Sequence, residues 1–76
     1  MNNGKWLTRQ EAEMIKRQYP AGTRLVLDEM DDPYCPVKPG THGTVALVDD
    51  QGQIHMDWDD GRTLALILGI DRFHRE

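Results

Sequence analysis

Three histidines, one cysteine and thirteen carboxylates are the residues of this 76-residue chain with the widest chemical reach. His42, His55 and His74, with Asp57 and Cys35, have ligand chemistry, but no pair has the spacing of a known metal site. His55 and Asp57 share the outward face of one strand, as solvated surface residues do. Cys35 sits between Tyr34 and Pro36, with Asp31 and Asp32 as its charged sequence neighbours. Negative charge there opposes formation of the nucleophilic thiolate. Asp59 and Asp60 are turn formers first, and a glycosidase-type pair needs a cleft larger than this chain can build. Pro39-Gly40-Thr41-His42-Gly43-Thr44 lacks the lysine and the following helix of a phosphate-binding loop. The residues therefore predict no catalytic, metal or cofactor site, and a protein that is not an enzyme.

The net charge is −4, and the acids cluster at Asp28, Glu29, Asp31 and Asp32, at Asp49 and Asp50, and at Asp57, Asp59 and Asp60. A global positive field that would gather a phosphate backbone is absent, which disfavours non-specific nucleic-acid binding. One cysteine makes no intramolecular disulfide and fits a reducing, cytoplasmic compartment. No apolar run approaches the length of a membrane span, and no hydrophobic leader follows Met1. A chain this short buries roughly 60% of its unfolded surface, so its stability is marginal unless a partner covers part of it.

The elements that must position these residues are legible in turn chemistry. Asp49-Asp50-Gln51-Gly52 and Asp59-Asp60-Gly61 separate runs of strand formers, as in a β-meander. Thr8-Arg9-Gln10-Glu11 has capping-box spacing, and Ala12, Ile15 and Tyr19 fall on one stripe behind it. The spacing predicts a helix over about 9–18, within a segment 8–19, which Pro20 stops. It packs across an open barrel end or serves a partner. Residues 1–7 read as a polar, flexible arm. The first strand is expected at 23–30, with Leu25 and Leu27 on one face. Residues 31–41 hold three prolines and form a long loop. Strand two is expected at 42–48, with Val45 and Leu47 on one face and Ala46 and Val48 on the other. Strand three, 53–58, turns Ile54, Met56 and Trp58 inward and His55, Asp57 and the following Asp59 outward. A fourth strand over 62–66, a tight turn over 67–70 and a short strand over 72–74 complete the set. The fold class is mainly β: a small five-stranded SH3-like barrel over 20–76 with an N-terminal α-helix. Its glycines read as turn residues.

The stretches Tyr19-Pro20-Ala21-Gly22-Thr23-Arg24, Met30-Asp31-Asp32-Pro33-Tyr34-Cys35-Pro36-Val37 and Pro39-Gly40-Thr41-His42-Gly43-Thr44-Val45 carry a resemblance. It continues through Ile54-His55-Met56-Asp57-Trp58-Asp59-Asp60-Gly61 and Leu64-Ala65-Leu66-Ile67-Leu68-Gly69-Ile70-Asp71-Arg72-Phe73. Over residues 19–74 the chain resembles a small domain-of-unknown-function family carried by bacterial mobile elements and phages. Where that family often has proline this chain has Leu68, a departure that bears on local turn geometry. The resemblance implies an origin and no catalytic residues. The glycine-opened strand at 40–45 and the later Trp58-Asp59-Asp60-Gly61 are also similar to SH3-like modules of translation and ubiquitin-ligase proteins, which bind RNA, ribosomal protein or peptides.

Recognition is the expectation that remains. Tyr34, Pro33, Pro36, Asp31, Asp32, Trp58 and Asp59 are the candidate partner-binding residues, because aromatic groups dominate interface hot spots. Trp58 is open between core and groove wall. The expected function is a non-catalytic protein-binding accessory module of a phage or mobile element, with an acidic inhibitor of a host nucleic-acid-handling or defence enzyme as its specific form. The alternative is a small nucleic-acid-binding module using Lys5, Trp6, Arg9, Lys16 and Arg17. A domain with a structural role only is a third reading. Exposed strand edges leave a homodimer open.

Overall fold

The computed structural model describes residues 8–30 and 37–76. Helix α1 (Arg9–Gln18) begins where the sequence places it. The Thr8 hydroxyl accepts from the Glu11 amide at 3.1 Å, and the Glu11 carboxylate accepts from the Thr8 amide at 2.8 Å. These two bonds satisfy donors that a helix start otherwise leaves unpaired. Tyr19 caps the other end, its amide donating to the Ile15 carbonyl. Ala12 and Ile15 are the buried residues of the helix, and Ile15 joins the sheet's own core cluster. The helix is thus part of the domain's core.

Five strands follow: β1 (Arg24–Glu29), β2 (His42–Val48), β3 (Gln53–Trp58), β4 (Leu66–Ile67) and β5 (Arg72–Arg75). They form one antiparallel sheet in the order β4-β3-β2-β1-β5. This is the mainly β, five-stranded arrangement expected, with one correction. The ladder does not close into a barrel, because β4 and β5 are its two edges. The core is one cluster in which Leu25, Leu27, Val37, Val45, Ile54, Met56, Trp58 and Leu66 pack with Ile15 of the helix.

Two strands depart from the simple reading. In β2 the register shifts between Val45, which faces Met56, and Leu47, which faces His55. A bulge inserts one extra residue and reverses the alternation beyond it. Val45 is therefore buried, whereas Leu47 points outward and Val48 packs on the core. The fourth strand begins at Leu66 and not at Arg62. The Trp58 amide still donates to the Arg62 carbonyl at 2.8 Å, but Asp60 accepts from the Arg62 amide and the Trp58 indole donates to the Leu64 carbonyl at 2.8 Å, so side chains take bonds that a longer strand would give to the ladder.

Gly43 is a further correction. It lies inside β2 opposite Trp58, and its φ is not in the left-handed region. A Cβ built there would stand 2.6 Å from the Trp58 ring carbon Cε3. This glycine is needed for the close approach of an indole, not for a turn.

Candidate functional site

The charged surface is built from pairs that are distant in sequence. Arg24 leaves β1 and binds Asp59, on the turn after β3, through both terminal nitrogens, at 2.8 and 2.7 Å. The same guanidinium reaches Thr44 at 3.0 Å and Glu76 at 3.3 Å. Glu76 in turn contacts His42 Nδ1 at 2.6 Å. The His42 and Arg24 hydrogen bonds hold the Glu76 carboxyl below its ordinary range, and the Arg24 hydrogen bond does the same for Asp59. The Arg24 pKa is raised by Asp59 first and Glu76 second.

The other two histidines also meet carboxylates. His55 Nε2 lies 2.9 Å from Asp49, and His74 Nδ1 lies 2.9 Å from Asp28. Burial of Asp49 raises its pKa, but the His55 contact and the Gln53 and Gln51 amides outweigh it and leave the carboxyl below its ordinary range. The sequence reading put His55 beside Asp57 on an outward face. Its actual partner is Asp49, across the hairpin turn. Among the described residues no group of three or more histidine, cysteine, aspartate or glutamate side chains is placed to hold a metal ion.

A different feature stands at the helix. Glu11, Met14, Ile15 and Gln18 occupy positions i, i+3, i+4 and i+7 of α1, one face of the helix. With Leu68, from the turn between β4 and β5, they bound a groove of about 260 Å³. Met14 is 55% exposed and Leu68 41%; Ile67, at the end of β4, and Ile70, on the turn, are 41% and 55% exposed and lie outside the groove's lining. The turn is fixed by Asp71, whose carboxylate accepts from the Ile67 amide at 2.9 Å, and by Gly69 at φ 92°. At the helix C-terminus Arg75 donates to the Gln18 carbonyl and lies 4.9 Å from the centre of the Tyr19 ring. Tyr19 meets Phe73 edge-on at 5.6 Å.

The expected site residues are distributed unevenly over this surface. Trp58 is 3% exposed, so it belongs to the core and is no groove wall. Asp59 is exposed and bound to Arg24. Asp31, Asp32, Pro33, Tyr34 and Pro36 lie outside the described residues, as do Lys5, Trp6, Cys35 and the arm over 1–7. Of the basic helix face, Arg9 and Arg17 are exposed, while Lys16 donates to Asp50 at 2.8 Å. That bond raises the Lys16 pKa and lowers that of Asp50, which also feels the charge of Arg9. The groove is not among the features expected from the sequence. Its signal was Met14, an aliphatic residue off the Ala12, Ile15 and Tyr19 stripe.

A model of a family described as a domain of unknown function, DUF4314, matches residues 8–75. The chain belongs to that family. The match begins at Thr8, so the capped helix lies within the family's domain, whereas the resemblance read from the sequence began at residue 19. No curated protein and no solved structure matches the chain. Among the described residues no helix is long and apolar enough to cross a membrane.

Proposed function

We propose that this member of the family is a non-catalytic protein-binding accessory module of a phage or mobile element, working in the cytoplasm of a bacterial host. The observation that carries the reading is the apolar groove between α1 and the turn after β4, with Met14 and Leu68 exposed on its walls. Exposed aliphatic side chains lining a concavity suit contact with another macromolecule. At about 260 Å³ the groove falls below the ~300–1,000 Å³ of small-molecule sites. It suits one or two side chains of a protein better than a cofactor.

Three of the bases are less available to nucleic acid than the sequence suggests, although Arg9 and Arg17 of the helix face stay exposed. Lys16 is tied to Asp50 and Glu13, Arg24 to Asp59 and Glu76, and Arg72 to Glu29. A base already paired with its own carboxylate releases few counterions on meeting a phosphate. The same pairing weakens the narrower reading of an acidic inhibitor. Asp28, Asp49, Asp50 and Asp59 each face a cation or a histidine of this chain, which lowers the negative field they offer a basic groove.

Affinity capture from host lysate tests the reading, with and without nuclease, using the wild-type chain and Leu68→Glu. Leu68 is exposed enough for glutamate to be tolerated there. The expected result is a protein retained after nuclease and between about 50 and 200 mM salt, and lost with Leu68→Glu. Recovery of nucleic acid, or of proteins that vanish with nuclease, overturns it.

A further inference from the structure

We infer that the groove receives one basic side chain of a partner protein, a lysine or an arginine, with its stem between Met14 and Leu68 and its charged head at Glu11. This rests on the reading that the groove is a protein contact, and it names the chemistry of the residue that enters.

The lining carries two kinds of surface. Met14, Ile15 and Leu68 are apolar, while Glu11 and Gln18 are polar and stand at opposite ends of the helical stretch. Seven residues of helix separate those ends by about 10.5 Å. A groove of about 260 Å³ with two exposed aliphatic walls suits a single side chain and not a broad apolar interface. A purely aliphatic occupant would cover the Glu11 carboxylate without pairing it, which is costly. A lysine or arginine matches both surfaces, since its methylene stem lies along apolar groups and its head stays at the wet rim.

Glu11 is free to receive that head. Glu13 and Asp50 meet Lys16, Glu29 meets Arg72, Asp59 meets Arg24 and Asp60 meets Arg62. Among the described residues Glu11 has no such cation: its Oε1 accepts from the Thr8 amide, and its Oε2 is unpartnered. The other end disfavours a cation, because the Arg75 guanidinium already binds the Gln18 carbonyl. The entering side chain is thus oriented, with its head at Glu11 and the partner's main chain towards Gln18, whose side-chain amide both donates and accepts. Glu11 is exposed, and the positive N-terminal end of α1 offsets part of its charge. Loss of this ion pair is therefore expected to weaken binding about two- to fivefold and not to abolish it.

Peptides from a random display library, selected on the immobilised full chain and counter-selected on Met14→Ser, serve as probes. Met14 is already exposed and serine is uncharged, so the counter-selection favours no charge in the peptides. The expected peptides share a lysine or arginine. Acetyl-lysine or citrulline at that position, which removes the charge and keeps the stem, is expected to weaken binding about two- to fivefold. Glu11→Gln is expected to do the same with a thermal melt close to wild type, since glutamine keeps the return bond of the capping box. With both changes together the losses are expected not to add. Groove-dependent peptides that share an apolar or acidic residue instead, or an affinity that Glu11→Gln leaves unchanged, overturn the inference while the protein-binding reading stands. If no peptide distinguishes the wild type from Met14→Ser, both fail.

Discussion

Replacing Gly43 by alanine tests how β2 and β3 pack in the core. At a strand position with ordinary φ, a glycine-to-alanine change stabilises by about 0.4–1 kcal/mol, because the unfolded chain loses freedom. Gly43 has such a φ, so propensity alone predicts a gain. Packing predicts the reverse. The new methyl would stand 2.6 Å from Cε3 and 3.1 Å from Cδ2 of Trp58, closer than van der Waals contact permits. The methyl of Met56, 3.1 Å away, can swing aside, but the indole cannot. It is buried in the core and pinned through its N–H to the Leu64 carbonyl at 2.8 Å. Overpacking of this kind costs about 1–3 kcal/mol, which exceeds the entropic gain. Each kcal/mol lowers the melting temperature of a domain this size by roughly 4–8 °C. Thermal melts of the wild type, Gly43→Ala, Trp58→Phe and the double variant form the assay. Phenylalanine lacks the fused ring that meets the new methyl, so Gly43→Ala is expected to cost less in that background. The coupling should fall in the range of about 0.5–3 kcal/mol. A Gly43→Ala melt equal to the wild type, or an identical cost in both backgrounds, refutes the packing argument.

Two further outcomes follow from the caps and charges. Thr8→Ala removes the hydroxyl that accepts from Glu11, and urea unfolding should report a loss of about 1 kcal/mol with an unchanged m-value. Asp59→Asn removes the carboxylate that Arg24 grips. Because the folded carboxyl is held below its unfolded pKa, its contribution is complete above roughly pH 4 and is lost as pH falls through the folded value. Melts of the variant and the wild type should therefore differ near neutral pH and converge in acid. A constant gap across that range contradicts the assignment.

The sequence was legible wherever local chemistry decides. The Thr8 and Glu11 pair marked the helix start, and the turn ending at Gly52, at φ 82°, set the hairpin between β2 and β3. The alternation of Ile54, Met56 and Trp58 placed one wall of the core. What escaped depends on partners far away in the chain. Period-two reasoning put Leu47 beside Val45, because a bulge is a property of two strands and leaves no mark on one. The early start assigned to the fourth strand ignored the Trp58 indole, which captures the Leu64 carbonyl. Gly43 read as a turn glycine because the ring facing it comes fifteen residues later. Glu76 and His42, or Asp28 and His74, meet only once β5 pairs with β1. The groove escaped for the same reason, since it exists only where the Leu68 turn reaches α1.

The face of α1 around Met14 is proposed to contact protein. The methyl resonances of a chain labelled at its methionines, recorded in buffer and in nuclease-treated host lysate at one protein concentration, test it most directly. Met14 is exposed on the groove and Met56 is buried, so the two serve as probe and internal reference. The Met14 signal is expected to shift or broaden in lysate while Met56 holds its position. A Met14 signal unchanged in lysate, together with helix amides that move on addition of an oligonucleotide, would contradict it and favour the nucleic-acid reading.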